Sequence, residues 1–198
     1  MSITALQPFL PADTECLAYL KKWFGAHHIH LKLTRERATK LGDYRKLGKN
    51  EHRITINGTL PPQLFFFVLT HELAHLIAFD RYGLRIMPHG KEWKQIFREM
   101  LLESLSLYEE ELQPIIKRFA AAPKASFTAS PDLVRYFDVR EPADETLYVG
   151  DLLVTDRFLY RNEAYQIEEK RKKNYLCVHA KTGRKYIFKA IARVEKIS

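Results

Sequence analysis

The stretch LFFFVLTHELAHLIAFD, residues 64–80, is apolar almost all round and contains two histidines and one glutamate. Pro61 and Pro62 suit the first turn of a helix, and Tyr82-Gly83 ends the pattern, so a long buried helix is predicted. Two histidines and a glutamate are costly to bury in such a helix unless something satisfies them. This stretch therefore determines both the expected core and the expected chemistry.

The two histidines have the spacing of a metal site. His71 and His75 belong to the motif HELAH, so their imidazoles share one helix face with roughly 5–6 Å between them. Zinc, Zn²⁺, suits such a pair, and the Glu72 carboxylate can take a proton from a water in an open coordination position. The motif predicts a hydrolase with Glu72 as its catalytic base. A hydrogen-bonded pair of core histidines is the alternative interpretation.

A catalytic zinc ion usually has three protein ligands, so a third is expected. His89 is the best candidate, because Pro88 and Gly90 flank it where a tight turn can bring the chain back over the first helix. An acidic ligand from the following helix is the competing option, with three candidates: Glu92, Glu99 and Glu103. His28 and His30 share the polar face of a predicted strand, where a second metal is possible but surface histidines are the better interpretation.

The rest of the first domain, residues 1–120, predicts an α+β arrangement. Helical spacing of apolar residues indicates helices over 12–24, after Gly90 and over 109–120. Alternation of polar and apolar residues predicts strands at 28–34 and 53–57, with 42–47 able to pair with either. These strands are expected to form a small antiparallel sheet.

The composition changes after residue 120. Residues 121–145 are rich in Ala, Pro, Ser and Asp with little periodicity, which indicates a linker. Residues 146–198 contain five short β-rich runs separated by turn signals, one of them covering 158–168. They predict a small five-stranded, barrel-like domain.

The predicted C-terminal domain is basic and aromatic. It carries 12 Lys and Arg against 6 Asp and Glu, and seven aromatic residues, more than half of which are expected in its core. Basic grooves with aromatic platforms are typical of barrels that bind single strands, but a protein-interaction surface or a solvated basic surface remains open. The tentative nucleic-acid-binding residues are Arg171, Lys172, Lys173, Arg184 and Lys185.

Cysteine usage and the N-terminus limit the possible classes of protein. Cys16 and Cys177 belong to no C-x-x-C pair, which excludes a disulfide framework and a cysteine zinc ribbon. The N-terminus lacks a signal-peptide pattern, and no apolar run approaches the roughly 18 residues of a membrane span. We expect a soluble cytoplasmic protein with no membrane partner.

The HELAH motif followed by HGKEW at 89–93 resembles the SprT-like zinc metallopeptidase family, which includes the Spartan protease. The upstream order also matches, with WFG at 23–25, a Gly42-x-x-Arg45 segment and ITIN at 54–57, so the resemblance covers about residues 10–120. One departure is that many bacterial members end in a four-cysteine zinc ribbon, which this chain lacks.

The resemblance implies a zincin-like metallopeptidase core with His71, His75 and His89 as zinc ligands and Glu72 as the catalytic base. It also implies a DNA-associated metalloprotease that cleaves proteins bound or crosslinked to DNA, with a protein or peptide substrate and DNA as partners. The alternative is a DNA-associated binding or regulatory protein whose zinc site is structural or vestigial.

Overall fold

The structure, a computed structural model, describes residues 3–12, 15–37, 40–137, 147–172 and 174–197. The chain divides into two compact units, Met1–Phe137 and Asp138–Ser198. Each unit has its own hydrophobic core. The architecture is α+β, with helices and a small sheet in the first unit and a larger antiparallel sheet in the second.

The first unit begins with a 3-10 segment, Ile3–Phe9, and contains five α-helices and three strands among its described residues. In chain order these are α1 Glu15–Phe24, β1 His28–Thr34, β2 Gly42–Lys46, β3 Glu51–Asn57, α2 Pro62–Tyr82, α3 Lys91–Glu103, α4 Gln113–Ala121 and α5 Pro131–Tyr136.

The helix predicted from residues 64–80 is α2, and it lies at the centre of the first core. It starts at Pro62, where the missing N–H of proline costs nothing, and ends at Gly83, whose φ of 79° suits glycine. Its length and composition would suffice to cross a membrane, contrary to the expectation from the sequence, but 72% of that apolar window is buried within the fold. Such burial is typical of a core helix.

The three-stranded sheet differs from the antiparallel sheet predicted from the sequence. Its order is β1-β3-β2, in which β3 pairs antiparallel with β2 but parallel with β1. A short hairpin turn joins β2 to β3, whereas β1 and β2 lie on opposite edges of β3. Ile54 and Ile56 of this central strand are fully buried, which fixes its apolar face against the helices.

Residues 121–137, the first part of the predicted linker, fold with the first unit. They include the 3-10 turn Phe127–Ala129 and helix α5, which begins at Pro131. Leu133 and Phe137 are buried in the first core. These two apolar residues hold the segment against the first unit, although helix α5 has only six residues. The linker prediction is therefore corrected for 121–137, and its remainder, 138–145, lies outside the described residues.

The second unit is an antiparallel sheet with the order β4-β9-β5-β6-β7-β8. A 3-10 turn follows β4 and contains Gly150. The N–H of Gly150 donates to the carbonyl of Ala190, the residue that comes directly after β8. The two edges of the sheet thereby approach each other, as in a partly closed barrel. The strands are β4 Leu147–Tyr148, β5 Arg157–Tyr160, β6 Glu163–Lys170, β7 Asn174–His179, β8 Lys185–Lys189 and β9 Arg193–Ile197.

The sheet has six strands where five were predicted. The run at 158–168 is a hairpin, because Arg161 and Asn162 adopt positive φ values of 52° and 62° between β5 and β6. Two successive residues with positive φ form the two-residue turn that matches strand twist.

Candidate metal centre and cleft

Three histidine side chains converge on the exposed side of α2. The Nε2 atom of His89 lies 3.1 Å from Nε2 of His75 and 3.4 Å from Nε2 of His71. Among the described residues, these three form the one group of three or more His, Cys, Asp or Glu side chains whose ligand atoms all lie within 4.8 Å of one another. The trio predicted from the sequence is therefore brought together.

The distances between the three Nε2 atoms suit a shared metal ion better than hydrogen bonds between the imidazoles. Ligand nitrogens at about 2.0–2.1 Å from a tetrahedral zinc ion are separated by about 3.3–3.4 Å, which the two observed contacts approach. A neutral imidazole has one donor and one acceptor nitrogen, so three converging Nε2 atoms cannot all be satisfied by one another. Three nitrogen donors that converge on one point fit zinc, and among the described residues no fourth His, Cys, Asp or Glu joins the group.

The tight turn before α3 places His89. Gly90 N–H donates to the carbonyl of Met87 at 2.9 Å, and α3 starts at the next residue. Trp93, one turn into α3, is fully buried, and its indole N–H donates to the carbonyl of His71 at 3.4 Å. Its ring centroid lies 4.7 Å from those of His71 and His89 and 5.2 Å from that of His75. Trp93 therefore supports all three imidazoles from one side.

The surroundings keep the imidazoles neutral. Burial, together with the neighbouring His89, lowers the pKa of His75 to about 3. Burial and the two other histidines hold the pKa of His71 well below its ordinary value, and burial also lowers that of His89. Neutral imidazole is the form that binds a metal, so the trio is ready for a cation at neutral pH.

Glu72 is held against β2 by a close approach of the two backbones. The backbone N–H of Tyr44 donates to the Glu72 carboxylate. A Cβ at Gly42 would lie 2.5 Å from Glu72 Oε1 and 2.8 Å from Val68 Cγ1, so any residue other than glycine would displace these two side chains. The Tyr44 ring also stacks on the ring of His75, at 6.1 Å and 8°.

The carboxyl of Glu72 has a raised proton affinity. Its pKa is raised to about 8, mainly by burial and also by the negative charge of Asp43, while Lys40 and Arg37 act in the opposite direction. A pKa near neutral is what a group needs if it is both to accept and to return a proton at physiological pH. The sequence motif indicated Glu72, but the contributions of Gly42 and Tyr44 could not be read from spacing.

A cleft of about 670 Å³ opens over the histidines and Glu72. One wall is the segment from Lys40 to Tyr44, and the other is formed by residues 125–128. The second wall belongs to the part of the chain, residues 121–145, that was predicted from the sequence to be a linker. Its turn is fixed by Ser126, whose hydroxyl accepts from Thr128 N–H at 3.2 Å.

The competing acidic ligands are engaged elsewhere. Glu103 bonds to Lys22 and to the indole of Trp23, and Glu99 accepts from Gln95 at 3.0 Å. Glu92 lies 3.9 Å from Lys91 in an ion pair. His30 pairs with Glu51 at 2.7 Å on the exposed face of β1, so the possible second metal gains no support.

The tentative nucleic-acid-binding residues lie on two separate turns of the second unit. Arg171 and Lys172 are in the β6–β7 turn, whereas Arg184 precedes β8 in the turn at the other end of β7. Six residues of β7 separate the turns, or roughly 20 Å at about 3.4 Å per residue. Arg171 pairs with Glu169 at 3.2 Å and Lys185 with Glu168 at 2.7 Å. Lys173 lies outside the described residues.

Comparison with known proteins identifies the part of the chain that carries this site. The sequence model of the SprT-like family matches residues 15–110, which include the three histidines, Glu72 and Trp93. The chain carries a SprT-like family domain. No solved structure matches the chain significantly.

Individual relatives match this SprT-like domain over short segments. Protein SprT of Klebsiella pneumoniae is 44% identical over 57 residues, which cover 28% of this chain and 34% of the relative. Protein SprT of Pseudomonas fluorescens is 37% identical over 60 residues, covering 29% and 37%. Protein SprT of Glaesserella parasuis is 50% identical over 34 residues, covering 17% and 21%. The chain thus spans only 21% to 37% of the length of these relatives.

Proposed function

We propose that the protein is a zinc-dependent metallopeptidase whose metal is held by His71, His75 and His89. The convergence of three neutral imidazoles beside a buried glutamate is the observation that carries this proposal. A zinc ion bound there acidifies water and polarises a carbonyl oxygen. Peptide-bond hydrolysis needs both effects.

In this proposal Glu72 moves the proton. Its carboxylate accepts a proton from the attacking water and returns it to the leaving amine nitrogen, so the group ends each cycle as it began. The N–H of Tyr44 orients the carboxylate, and the close fit at Gly42 keeps it in place. The cleft between residues 40–44 and 125–128 receives the polypeptide and reduces access of bulk water.

The substrates we propose are proteins bound or crosslinked to DNA, cleaved in the cytoplasm without a membrane partner. The resemblance of the SprT-like domain to Spartan-type proteases supports this substrate class. The excess of six basic side chains in residues 146–198 supports contact with a phosphate backbone. The second unit would then hold the peptidase near its substrate.

The test is cleavage of a DNA-bound protein by the zinc-loaded chain, with and without DNA, beside Glu72→Gln. We expect cleavage by the wild-type protein, none by Glu72→Gln, and equal zinc content in both. Glu99→Gln is the matched control, because Glu99 is an exposed glutamate on α3 that faces Arg81 at 4.0 Å. Absence of cleavage by the wild-type protein under all conditions would favour the DNA-associated binding protein with a structural or vestigial zinc site.

A further inference from the structure

A second concave site lies in the C-terminal unit, and four of its ten lining residues are aromatic. Its volume is about 620 Å³, and its walls include Tyr160, Tyr165, Tyr186 and Phe188. These rings come from β5, β6 and β8, which the curvature of the sheet brings together. None of the four described basic residues singled out from the sequence (Arg171, Lys172, Arg184 and Lys185) lines it.

The rings pack edge to face, and not all of them are buried in the core of this unit. Tyr165 meets Tyr186 at 5.6 Å and 87° and meets Phe188 at 5.0 Å and 68°. Three of the seven aromatic residues of this unit are buried (Phe158, Tyr175 and Phe188), and Tyr160 and Tyr165 pack partly buried against the same core, so more than half belong to the core as expected. Tyr186 is 41% exposed and the adjacent Ile187 is 53% exposed. Exposed apolar side chains on an edge strand are typical of a binding surface.

The charge beside the cleft indicates an anionic ligand. Arg161 and Lys189 both line it and are exposed. In the part of the chain that the structure describes, neither forms an ion pair with a carboxylate, whereas Arg171, Lys185 and Lys196 do. The carboxylate in the cleft, Glu163, is engaged with His179 Nε2 at 3.2 Å. Among the residues that line the cleft, two cations therefore face one carboxylate, and the Arg161 guanidinium also lies 5.3 Å from the centre of the Tyr160 ring.

An aromatic surface flanked by cations matches the chemistry of an unpaired nucleotide. Bases stack on aromatic rings whatever their sequence, and phosphates pair with nearby Arg and Lys. In a duplex the base faces are already stacked on one another and cannot enter such a cleft. A proline-rich peptide or a methylated ammonium group would use the rings but would leave Arg161 and Lys189 without partners.

We propose that this cleft binds single-stranded nucleic acid, with a base stacked on Tyr186 and phosphates close to Arg161 and Lys189. The proposal deepens the DNA-associated part of the proposed function, to which it adds the form of the nucleic acid and the place where it binds. It is independent of the peptidase step, because every contact lies in the second unit.

The experiment is fluorescence anisotropy of a labelled oligothymidine and of a duplex of equal length, titrated with the full zinc-loaded chain over a series of salt concentrations. We expect tighter binding of the single strand. Tyr186→Ala should weaken it about tenfold or more, and Tyr186→Trp should retain it, because stacking on the ring is restored. The double variant Arg161→Ala, Lys189→Ala should reduce the slope of log affinity against log salt by about 1.4, since each neutralised phosphate contributes about 0.7 on single strands.

Leu153→Ala is the matched control, because Leu153 is an apolar residue of the same unit, 73% exposed, that does not line the cleft. It should bind like the wild type. Equal affinity for duplex and single strand would overturn the proposal. It would also be overturned if Tyr186→Ala bound the single strand as tightly as the wild type while Arg171→Ala bound it more weakly. Tyr186-dependent binding of a proline-rich or trimethyl-lysine peptide in place of the oligonucleotide would also overturn it. No cleavage is measured, so an inactive peptidase would leave this result unaffected.

Discussion

Gly42→Ala tests whether the approach of β2 holds the catalytic carboxylate in place. The new Cβ would lie 2.5 Å from Glu72 Oε1, where ordinary contact begins at 3.4 Å, so the oxygen must move by about 0.9 Å. Misplacing a catalytic group by about 1 Å can lower turnover roughly 100-fold. We expect a loss of that order in kcat, with zinc binding retained because the three imidazoles belong to α2 and to the turn before α3. Overpacking should also lower the free energy of unfolding by about 1–3 kcal/mol.

The assay is steady-state hydrolysis of a peptide by the zinc-loaded variant, with zinc content measured on the same sample and folding checked by denaturant unfolding. Gly58→Ala is the control, since its Cβ would meet nothing closer than 3.6 Å in the same unit. A folded, zinc-loaded Gly42→Ala protein with wild-type kcat would refute the reasoning, because Glu72 would then tolerate displacement.

The remaining predictions concern stability and metal content. Glu72→Gln should flatten the pH dependence of the free energy of unfolding in the metal-free protein. The pKa of Glu72 is raised from 4.5 to about 8, so its protonated form contributes stability that is complete below pH 4.5 and is lost as pH rises through 8. Urea unfolding at a series of pH values measures this. Removing zinc with a chelator should lower the Tm of the wild type and leave that of His75→Ala unchanged, and re-added zinc should restore the wild type only. Trp93→Ala should cost about 3–5 kcal/mol of unfolding free energy and weaken zinc binding, both read by equilibrium titration. Leu133→Ala should cost about 2–5 kcal/mol if α5 belongs to the first unit, whereas an unchanged midpoint of denaturation would make residues 121–137 a linker.

The metal centre could be predicted because its ligands lie close together in the sequence. The i,i+4 spacing of His71 and His75 fixes two ligands on one helix face, and the Pro-His-Gly turn returns His89 to that face. The α2 stretch is a long apolar run between Pro62 and Gly83, and α3 has strong apolar periodicity, so both helices could be placed closely. The buried surroundings that raise the pKa of Glu72 depend on β2, which is distant in sequence.

Strand direction and short elements could not be read in the same way. Alternation identifies a strand but is identical for parallel and antiparallel partners, so the parallel pairing of β1 with β3 was missed. Arg161 and Asn162 lack the glycine that usually signals a two-residue turn, which hid the β5–β6 hairpin. Helix α5 has only six residues, too few to show a period.

The measurement that tests the account most directly is the zinc coordination shell, determined by X-ray absorption of the zinc-loaded protein and of His89→Ala. We predict three imidazole nitrogens at about 2.0–2.1 Å and one water oxygen in the wild type, and one fewer nitrogen in His89→Ala. A fourth protein ligand closing the site, or a shell that the His89 substitution leaves unchanged, would contradict an open three-histidine catalytic centre.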